Sequence, residues 1–271
     1  MTIVSHDEGR ETRPFELEHR YGDRVHILDS ASLQSVLARL GSPRTSRREV
    51  THLLRLAYEF LAMTMAAREL PVARVEEPTR MTALHPEVAY RGPALDPTTR
   101  IVIVDVIRGG ILPAQHCFDL LEMLVPEDNV RLDHLNLSRR ADASGRVVGV
   151  DLTGSKVGGS VDDAILVIPD PMGATGSTIV RVVEHYLAEH GRPSKIVAMP
   201  MIATPEFFRA VLPADPSLVV YTGRLDRGAS PREVLESVPG THPDRESGLD
   251  ANDYIVPRAG GIGELLNNSW C

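Results

Sequence analysis

Cysteine is nearly absent from this sequence, whose 271 residues contain only Cys117 and Cys271. Two thiols cannot build a disulfide framework or a four-thiolate zinc site, so both kinds of stapled fold are excluded. A chain of this length needs no such staple, because it buries roughly three quarters of its unfolded surface. Cys117 stands in an apolar run, which predicts a buried core position, and Cys271 is the last residue.

Long apolar runs are missing as well. No stretch approaches the ~18 apolar residues of a membrane-spanning helix, so we predict no membrane partner. The first residues, MTIVSHDEGRETRPFE, lack the basic segment and following apolar stretch of a secretory signal, which favours a cytoplasmic protein. Residues 1–20 are polar and mixed in charge. They predict a mobile N-terminal tail ahead of a single domain over residues 21–271.

Basic residues are in the minority. The chain has 29 Lys and Arg against 37 Asp and Glu, which gives a formal net charge of −8. Binding to the phosphates of a nucleic acid requires a basic surface, so we expect no nucleic-acid partner. A local basic pocket for one small phosphate compound is compatible with this charge balance.

The hydrophobic pattern changes along the chain from helical to alternating. Helical spacing covers residues 30–40, and a capping box of Ser46 and Glu49 opens a second helix that runs to about Arg68. Apolar strand-like runs then alternate with helical segments, and this order predicts an α/β fold with a parallel sheet. The predicted strands are 101–106, 130–137, 164–168, 195–200 and 217–221, and the predicted helices are 113–124, 177–190 and 205–211.

Two further segments stand out between these elements. Residues 146–161 are rich in Gly, Val and Thr and predict a hairpin or flap. Residues 226–251 are polar and contain Pro and Gly. A connection of that length is unusual in a compact domain, so we interpret it as functional or mobile.

The most informative stretch runs from Ala164 to Thr178. A buried strand ends in Asp170, a loop of small residues follows, and a helix then begins. Ligands of α/β sheets bind at the carboxyl ends of the strands, and a helix N-terminus favours an anion. Asp170 can accept hydrogen bonds from ribose hydroxyls. The remaining candidates for a phosphate site are Met172, Gly173, Ala174, Thr175, Gly176, Ser177 and Thr178.

Two familiar phosphate motifs do not fit this loop. A Walker A loop requires Gly-Lys-Ser/Thr, but no lysine follows Gly176. A dinucleotide fingerprint requires G-x-G-x-x-G, which is also missing. The alternative interpretation is an ordinary strand-to-helix turn in which Ser177 caps the helix.

The stretch Asp170-Pro-Met-Gly-Ala-Thr-Gly-Ser-Thr178 resembles the phosphoribosyl pyrophosphate (PRPP) loop of uracil phosphoribosyltransferases, D-P-M-x-A-T-G-x-S/T. Four more segments resemble that family in the same order, and the likeness covers roughly residues 28–264. They are Val106-Ile-Arg-Gly-Gly110, Ser138-Arg-Arg140, Met201-Ile-Ala-Thr-Pro-Glu206, and Tyr221-Thr-Gly-Arg-Leu-Asp226 together with Tyr254-Ile-Val-Pro257.

The resemblance implies a type I phosphoribosyltransferase fold, in which helices flank a parallel sheet, with a flap hairpin and a C-terminal hood over about residues 221–264. It implies transfer of the 5-phosphoribosyl group from PRPP to uracil, or to a uracil-like base, with release of pyrophosphate and formation of UMP. Its cofactor is Mg²⁺ held mainly through PRPP, with no protein metal site. Its other implied partner is a second copy of the chain, in a homodimer or higher homo-oligomer.

The resemblance also assigns arginines to the leaving pyrophosphate. Arg108 follows the first buried strand, and Arg139 and Arg140 precede the flap. Cations at the leaving group stabilise the charge that develops in the transition state, so Asp170, Arg108 and Arg140 are the expected catalytic residues. The alternative for Arg139 and Arg140 is a solvated charge pair at the end of a strand.

The base end departs from the family pattern. The resemblance places the base against the backbone of Tyr254, Ile255 and Val256, with Gly260 and Gly261 close by. The family follows these residues with G-L-G-D-A-G-D, whereas this chain has Arg258-Ala-Gly-Gly-Ile-Gly-Glu264. Gly261 therefore replaces an acid. Two alternative functions stay open: phosphoribosyl transfer to another heterocycle, and a catalytically weak protein that senses PRPP or a nucleotide.

Overall fold

The computed structural model describes residues 15–141, 147–257 and 261–269, with the backbone alone at 139–141, 147–148 and 150. Ten strands and seven α-helices occur in this part of the chain. The strands are β1 (Val25–Ile27), β2 (Val72–Pro78), β3 (Ala89–Leu95), β4 (Ile101–Ile107), β5 (Val130–Ala141), β6 (Val147–Lys156), β7 (Ile165–Gly173), β8 (Lys195–Ala203), β9 (Leu218–Thr222) and β10 (Arg224–Leu225). The helices are α1 (Ala31–Leu40), α2 (Arg47–Glu69), α3 (Ile111–Leu121), α4 (Ser177–Glu189), α5 (Pro205–Val211), α6 (Arg232–Leu235) and α7 (Ile262–Asn267).

The central sheet has the strand order β1-β9-β8-β7-β4-β5-β6, and β10 pairs with β8. All neighbouring strands are parallel except β5 and β6, which form an antiparallel hairpin. The predicted α/β class with a mainly parallel sheet and a flap hairpin is confirmed. The parallel arrangement brings the carboxyl ends of β4, β7 and β8 to one edge, where the candidate site lies.

Helices cover both faces of the sheet, as the continuous apolar strands predict. Alternate side chains of β4 and β7 pack with α1, α2 and α3 on one face, in a cluster that includes Tyr58 and Cys117. The intervening side chains pack with α4 and α5 on the other face. Cys117 is fully buried, as predicted, and this apolar environment raises the pKa of its thiol.

The helix termini largely follow the predicted signals. Ser46 and Glu49 form the expected capping box at the start of α2, where each accepts a backbone N–H of the other. At the end of α4, Gly191 has φ +100°, the left-handed conformation that glycine adopts readily after a helix.

Strands β5, β7 and β8 each extend several residues further than predicted. β7 continues through Asp170 to Gly173, because β8 also continues to Ala203 and pairs with it along the whole length. Only residues 174–176 therefore form the turn before α4. The loop predicted between Asp170 and α4 was too long, because residue preferences did not show that the end of β7 pairs with β8.

The flap hairpin is formed by β5 and β6, rather than within residues 146–161 as predicted. Arg139 and Arg140 lie in its first strand, paired with Val150 and Gly149. A second hairpin, β2–β3, has no counterpart in the prediction. Its strands are mostly exposed on both faces, so their sequence lacks the apolar alternation that marks a half-buried strand.

Most of the predicted N-terminal tail lies outside the described residues. Residues 16–20, however, are held against the domain rather than free, because the N–H of Leu17 donates to Ile27 and that of Arg20 to Pro239. Among the described residues, no helix combines the length and apolarity needed to cross a membrane.

The connection over 226–251 is also a packed part of the domain. Glu246 is 2% exposed, forms an ion pair of 2.9 Å with Arg227, and accepts N–H of Gly240 at 2.8 Å. Tyr21 donates its hydroxyl to the same carboxylate. Contacts inside the segment thus hold it in place, and the short helix α6 is part of it.

Candidate active site

The tips of β4 and β7 meet at the edge of the sheet. A Cβ on Gly109 would lie 3.9 Å from Oδ1 of Asp170 and 3.6 Å from Pro171. Asp170 is half-buried at this tip, and its negative charge, after burial itself, raises the pKa of the underlying Tyr58 well above its usual value. The structure therefore brings the predicted acid next to the loop that follows β4.

That loop needs glycine for a steric reason. A Cβ on Gly110 would lie 2.8 Å from both the backbone N and O of Val106, closer than real contacts allow. The backbone of residues 108–110 can turn tightly only because this side chain is missing. The turn leaves Arg108 directly after β4, one residue before Gly109, whose Cβ would lie 3.9 Å from Oδ1 of Asp170.

The turn between β7 and α4 presents an uncapped helix N-terminus. Gly176 is the N-cap residue, with φ +79°, and it makes no side-chain cap. Ser177 is the first residue of the helix, so the alternative in which Ser177 caps it is wrong. Thr175 and Ser177 are exposed. Their hydroxyls lie 3.0 Å apart within hydrogen-bond distance, and Oγ1 of Thr175 also accepts a long bond, 3.4 Å, from the N–H of Ser177. The first turn of α4 is therefore suited to an anion.

Gly176 is also fixed by close packing. A Cβ there would lie 2.9 Å from Cβ of Ala210 and 3.0 Å from Cγ1 of Val211. The left-handed backbone and the contact with α5 both require glycine at this position. The turn is therefore held against α5 from behind, while its hydroxyls face outward.

The predicted arginines occupy different positions. Arg108 is half-buried, and its Nη1 donates to the hydroxyl of Ser269 at 2.9 Å and to the carbonyl of Ser269 at 3.3 Å. In this structure the guanidinium therefore holds the segment after α7. Arg139 and Arg140 lie in the flap strand β5, and their side chains are outside the described part of the chain.

The hood, residues 221–264, is tied to the turn before α4 through Thr204. Thr204 caps α5 by accepting the N–H of Phe207, and it donates its hydroxyl to the carbonyl of Ala174 at 2.7 Å. Gly248 packs on Thr204, because a Cβ on this glycine would lie 2.9 Å from Cβ of Thr204. The turn before α4 and the hood are thus connected by direct contacts.

Glu206 completes this connection. Its carboxylate accepts the hydroxyl of Ser247 at 2.7 Å and the N–H of Gly248 at 3.0 Å. The sequence analysis did not single out Glu206 and Thr204 as positioning residues. The one available signal was a helix start at Thr204-Pro205-Glu206, with a capping residue followed by proline at the first position.

The hood backbone offers fewer free groups than predicted. The N–H of Val256 donates to Gly248 at 2.8 Å, and its carbonyl accepts the N–H of Gly228 at 2.9 Å. Tyr254 is also paired, since its N–H donates to Oδ1 of Asp250 and its carbonyl accepts the N–H of Asp250. Both N–H groups of Tyr254 and Val256 are therefore engaged within the protein, and each of their carbonyls already accepts one hydrogen bond.

Ile255 differs from both neighbours. It forms an antiparallel bridge with Leu249 in which the flanking residues make the hydrogen bonds. Its own N–H and carbonyl consequently point away from the partner segment. Within the described ranges neither group has a hydrogen-bond partner. The N–H and the carbonyl of Ile255 thus provide one hydrogen-bond donor and one acceptor next to each other.

The start of α7 reaches the same edge. A Cβ on Gly263 would lie 3.7 Å from Cα of Gly109. The space beside Gly261, into which a side chain would project, contains the carboxylate of Glu264. Gly260 and Arg258 lie outside the described residues. The structure thus brings Asp170, the loop after β4 and an acid from α7 to one edge of the sheet.

Among the described residues, a group of three or more possible metal ligands occurs only at the far end of α4. The single half-buried acid at the tip of β7 fits a Mg²⁺ ion that arrives with the oxygens of a diphosphate, because Mg²⁺ commonly binds through one or two carboxylates plus substrate phosphates.

The fold and this edge define a type I phosphoribosyltransferase. The solved structure of the AQ2163 protein from Aquifex aeolicus has the same fold, with a TM-score of 0.67 at 18% identity over 89% of this chain and 97% of that chain. The family model for uracil phosphoribosyltransferase matches residues 27–246. The chain belongs to the uracil phosphoribosyltransferase family, and it is a phosphoribosyltransferase that acts on a base.

Curated relatives match nearly the whole chain at low identity. Uracil phosphoribosyltransferase from Thermococcus gammatolerans is 25% identical over 253 residues, which cover 91% of this chain and 94% of the relative. The enzyme of the same name from Burkholderia vietnamiensis is 27% identical over 247 residues, covering 89% and 94%. The predicted family membership is confirmed.

Proposed function

We propose that the protein transfers the 5-phosphoribosyl group of PRPP to uracil or a uracil-like base, forming UMP from uracil and releasing pyrophosphate. The observation that carries this proposal is the uncapped N-terminus of α4, which lies at the same sheet edge as Asp170 and is joined to the hood through Thr204. The turn before α4, Asp170 and the hood can then bind a phosphate, a ribose and a planar base, respectively.

The 5-phosphate of PRPP binds at the turn before α4 in this proposal. The first N–H groups of α4 donate to its oxygens, and the helix dipole favours its charge. Thr175, Ser177 and Thr178 add hydroxyl donors. The small residues Gly173, Ala174 and Gly176 let the phosphate approach the backbone, and Met172 lies just before them in β7.

Asp170 holds the ribose. Its carboxylate accepts hydrogen bonds from the two ribose hydroxyls, which fixes C1 of the sugar relative to the base. Mg²⁺, when bound through PRPP oxygens, neutralises the diphosphate and lowers the barrier to its departure. Asp170 is the acid at this edge that lies near enough to the ribose to contact such an ion.

Arginines stabilise the departing pyrophosphate. Arg108 at the tip of β4 exchanges Ser269 for a pyrophosphate oxygen, and Arg139 and Arg140 approach from the flap. Guanidinium groups bind phosphate oxygens through two parallel hydrogen bonds, and the charge they meet is greatest in the transition state. These three residues therefore act mainly on the chemical step.

The base lies against the hood. The paired N–H and carbonyl of Ile255 match a neighbouring carbonyl and N–H on the edge of uracil. Glu264 stands near this end and assists the loss of the proton from the reacting base nitrogen. The two glycines before α7, Gly260 and Gly261, permit close approach of the base.

Residues 258–264 differ from the family pattern, and this difference supports the two alternative functions. Arg258 introduces a positive charge where the family has glycine, which would attract an acceptor with an anionic substituent. Another heterocycle is therefore the second candidate acceptor, and a weakly catalytic PRPP sensor is the third candidate function. We further propose that the protein is a cytoplasmic homodimer or higher homo-oligomer.

The test is PRPP-dependent pyrophosphate release measured with Mg²⁺ against a panel of bases, for the wild type and Asp170→Asn. We expect saturable turnover on uracil or a uracil-like base and a loss of orders of magnitude in Asp170→Asn. Asp128→Asn, an exposed acid in the turn before β5, is the matched control. Tight PRPP binding with no turnover on any base would favour the sensor, and unchanged turnover in Asp170→Asn would remove Asp170 from the site.

A further inference from the structure

The C-terminal end of α4 carries a second cluster of chemically active side chains. His185, Glu189 and His190 lie there, remote from the PRPP turn at the other end of the same helix. Eight residues separate Ser177 from His185, which corresponds to roughly 12 Å along a helix axis. The cluster has no part in the phosphoribosyl transfer described above.

The helix and its terminus bring the three side chains together. His185 and Glu189 are four residues apart and so lie on the same face of α4. His190 is the C-cap residue, where the chain leaves the helix, and its ring lies 4.9 Å from that of His185 with the planes at 79°. Nδ1 of His185 is 3.2 Å from Oε1 of Glu189. One ligand atom from each residue lies within 4.8 Å of the other two.

The burial of His185 points to a ligand. The residue is 4% exposed, and neither of its ring nitrogens makes a hydrogen bond of acceptable geometry. Nε2 of His190 is likewise buried without a partner. Buried polar atoms are almost always hydrogen-bonded, and leaving one unpaired costs about 1–3 kcal/mol. Nδ1 and Nε2 of His185 and Nε2 of His190 are therefore three unpaired nitrogens in one cluster, and they indicate a binding site for a ligand.

The neighbouring polar groups do not supply this partner. Tyr186 lies between the cluster and β5, but its hydroxyl donates to Oδ2 of Asp133 at 2.9 Å. Asp133 in turn pairs with Arg131 at 3.0 Å. His185 is buried and His190 half-buried, whereas the Glu189 side chain is largely exposed to solvent.

We propose that His185, Glu189 and His190 bind a divalent transition-metal ion of the Zn²⁺ type. Two imidazole nitrogens and one carboxylate oxygen are donors that Zn²⁺ accepts, with ligand distances of about 2.0–2.2 Å, whereas Mg²⁺ and Ca²⁺ prefer oxygen. In a tetrahedral site with ligand distances of about 2.1 Å the ligand atoms lie roughly 3.4 Å apart, so rotations of these side chains must bring their ligand atoms closer together. Water fills the fourth position on the side of Glu189. By binding both His190 and the last turn of α4, the ion stabilises the C-terminal end of the helix.

The test begins with full-length protein stripped of metal and titrated with Zn²⁺ by calorimetry. We expect one high-affinity Zn²⁺ per chain and a higher Tm with Zn²⁺, because the ion binds the folded state. Co²⁺ in place of Zn²⁺ should give the intense visible absorption of a four-coordinate site. Glu189→Gln and His190→Gln retain a polar side chain, and each should weaken binding by at least about 10–100-fold, the cost of losing even an outer partner of a metal site.

The exposed pair His85 and Glu87, 3.7 Å apart in the β2–β3 connection, provides the matched control. The double variant His85→Gln, Glu87→Gln should bind Zn²⁺ as the wild type does. PRPP-dependent turnover of His190→Gln should be unchanged, so this result is independent of the proposed function. Equal Zn²⁺ affinity in the wild type and His190→Gln, or no saturable binding to the wild type, would overturn the proposal.

Discussion

The carboxylate of Glu264 occupies the space into which a side chain at Gly261 would project. The family pattern has acids at the positions of Gly261 and Glu264, and this chain keeps only the second. Glu264, in the first turn of α7, places its carboxylate in that space. We propose that Glu264 performs the task of the missing acid.

We accordingly expect Glu264→Gln to lower turnover on the accepted base by about 10²–10⁴-fold, the usual worth of assisted proton transfer. The double variant Glu264→Gln, Gly261→Asp should regain part of this loss, because it restores a carboxylate at the original position. The measurement is base-dependent pyrophosphate release under saturating PRPP. Glu236→Gln, an exposed residue after α6, is the control. Full activity in Glu264→Gln would contradict the assigned role.

The second prediction concerns Arg108, which pairs with Ser269 in this structure. If the guanidinium moves to the pyrophosphate during the reaction, Arg108→Ala should lower kcat and kcat/KM together, as expected for an interaction made in the transition state. Steady-state kinetics with varied PRPP distinguishes this from an effect on KM alone.

Ser269→Ala separates the two tasks of this arginine. The variant removes the hydroxyl that holds Arg108 but leaves the guanidinium available for pyrophosphate, so kcat should stay the same or rise. If Ser269→Ala instead reproduced the loss of Arg108→Ala, the arginine would serve only to hold the C-terminal segment.

The local geometry of the candidate phosphate site was predictable from the sequence because it depends on residue types at fixed spacing. Asp170, Gly176 and the helix at Ser177 are local features: a buried strand, a positive-φ turn and a helix N-terminus follow one another directly. The class of fold followed in the same way, since continuous apolar strands alternate with amphipathic helices.

The base end was less predictable because it depends on contacts between distant segments. Pairing of Val256 with Gly248 and Gly228 removes its backbone groups and leaves those of Ile255. The orientation of the Glu264 side chain follows from the position of α7. The free backbone groups of Ile255 and the orientation of Glu264 both depend on how the hood folds back on itself, so local residue preferences do not predict them.

A third prediction concerns the apolar face of α2. Leu56 and Met63 are 52% and 49% exposed and, with Phe15, line a shallow groove. Exposed apolar surface of this kind is typical of an interface between subunits. We expect the double variant Leu56→Glu, Met63→Glu to shift the protein toward monomer in sedimentation velocity, while Leu235→Glu, on the exposed side of α6, leaves assembly unchanged. A wild-type monomer would refute the proposed homo-oligomer.

The last prediction uses the buried carboxylate of Glu69, at the end of α2. Burial alone would raise its pKa, but hydrogen bonds from Lys195 and from the hydroxyl of Tyr221, the latter at 2.5 Å, lower the pKa below its ordinary value of 4.5. An acid whose pKa is lower in the folded than in the unfolded protein contributes stability above about pH 4.5, and this contribution is lost as the pH falls through the folded-state value.

We therefore expect Glu69→Gln to reduce the free energy of unfolding at neutral pH, and this deficit relative to the wild type to shrink as the pH falls below about 4.5. Urea denaturation across this range measures both free energies. Glu76, which pairs with Arg91 on the exposed β2–β3 hairpin, is the matched control, and Glu76→Gln should change stability little at any pH because exposed ion pairs contribute little. A deficit of Glu69→Gln that stayed constant with pH would show that packing, rather than the charge of Glu69, stabilises this end of the sheet.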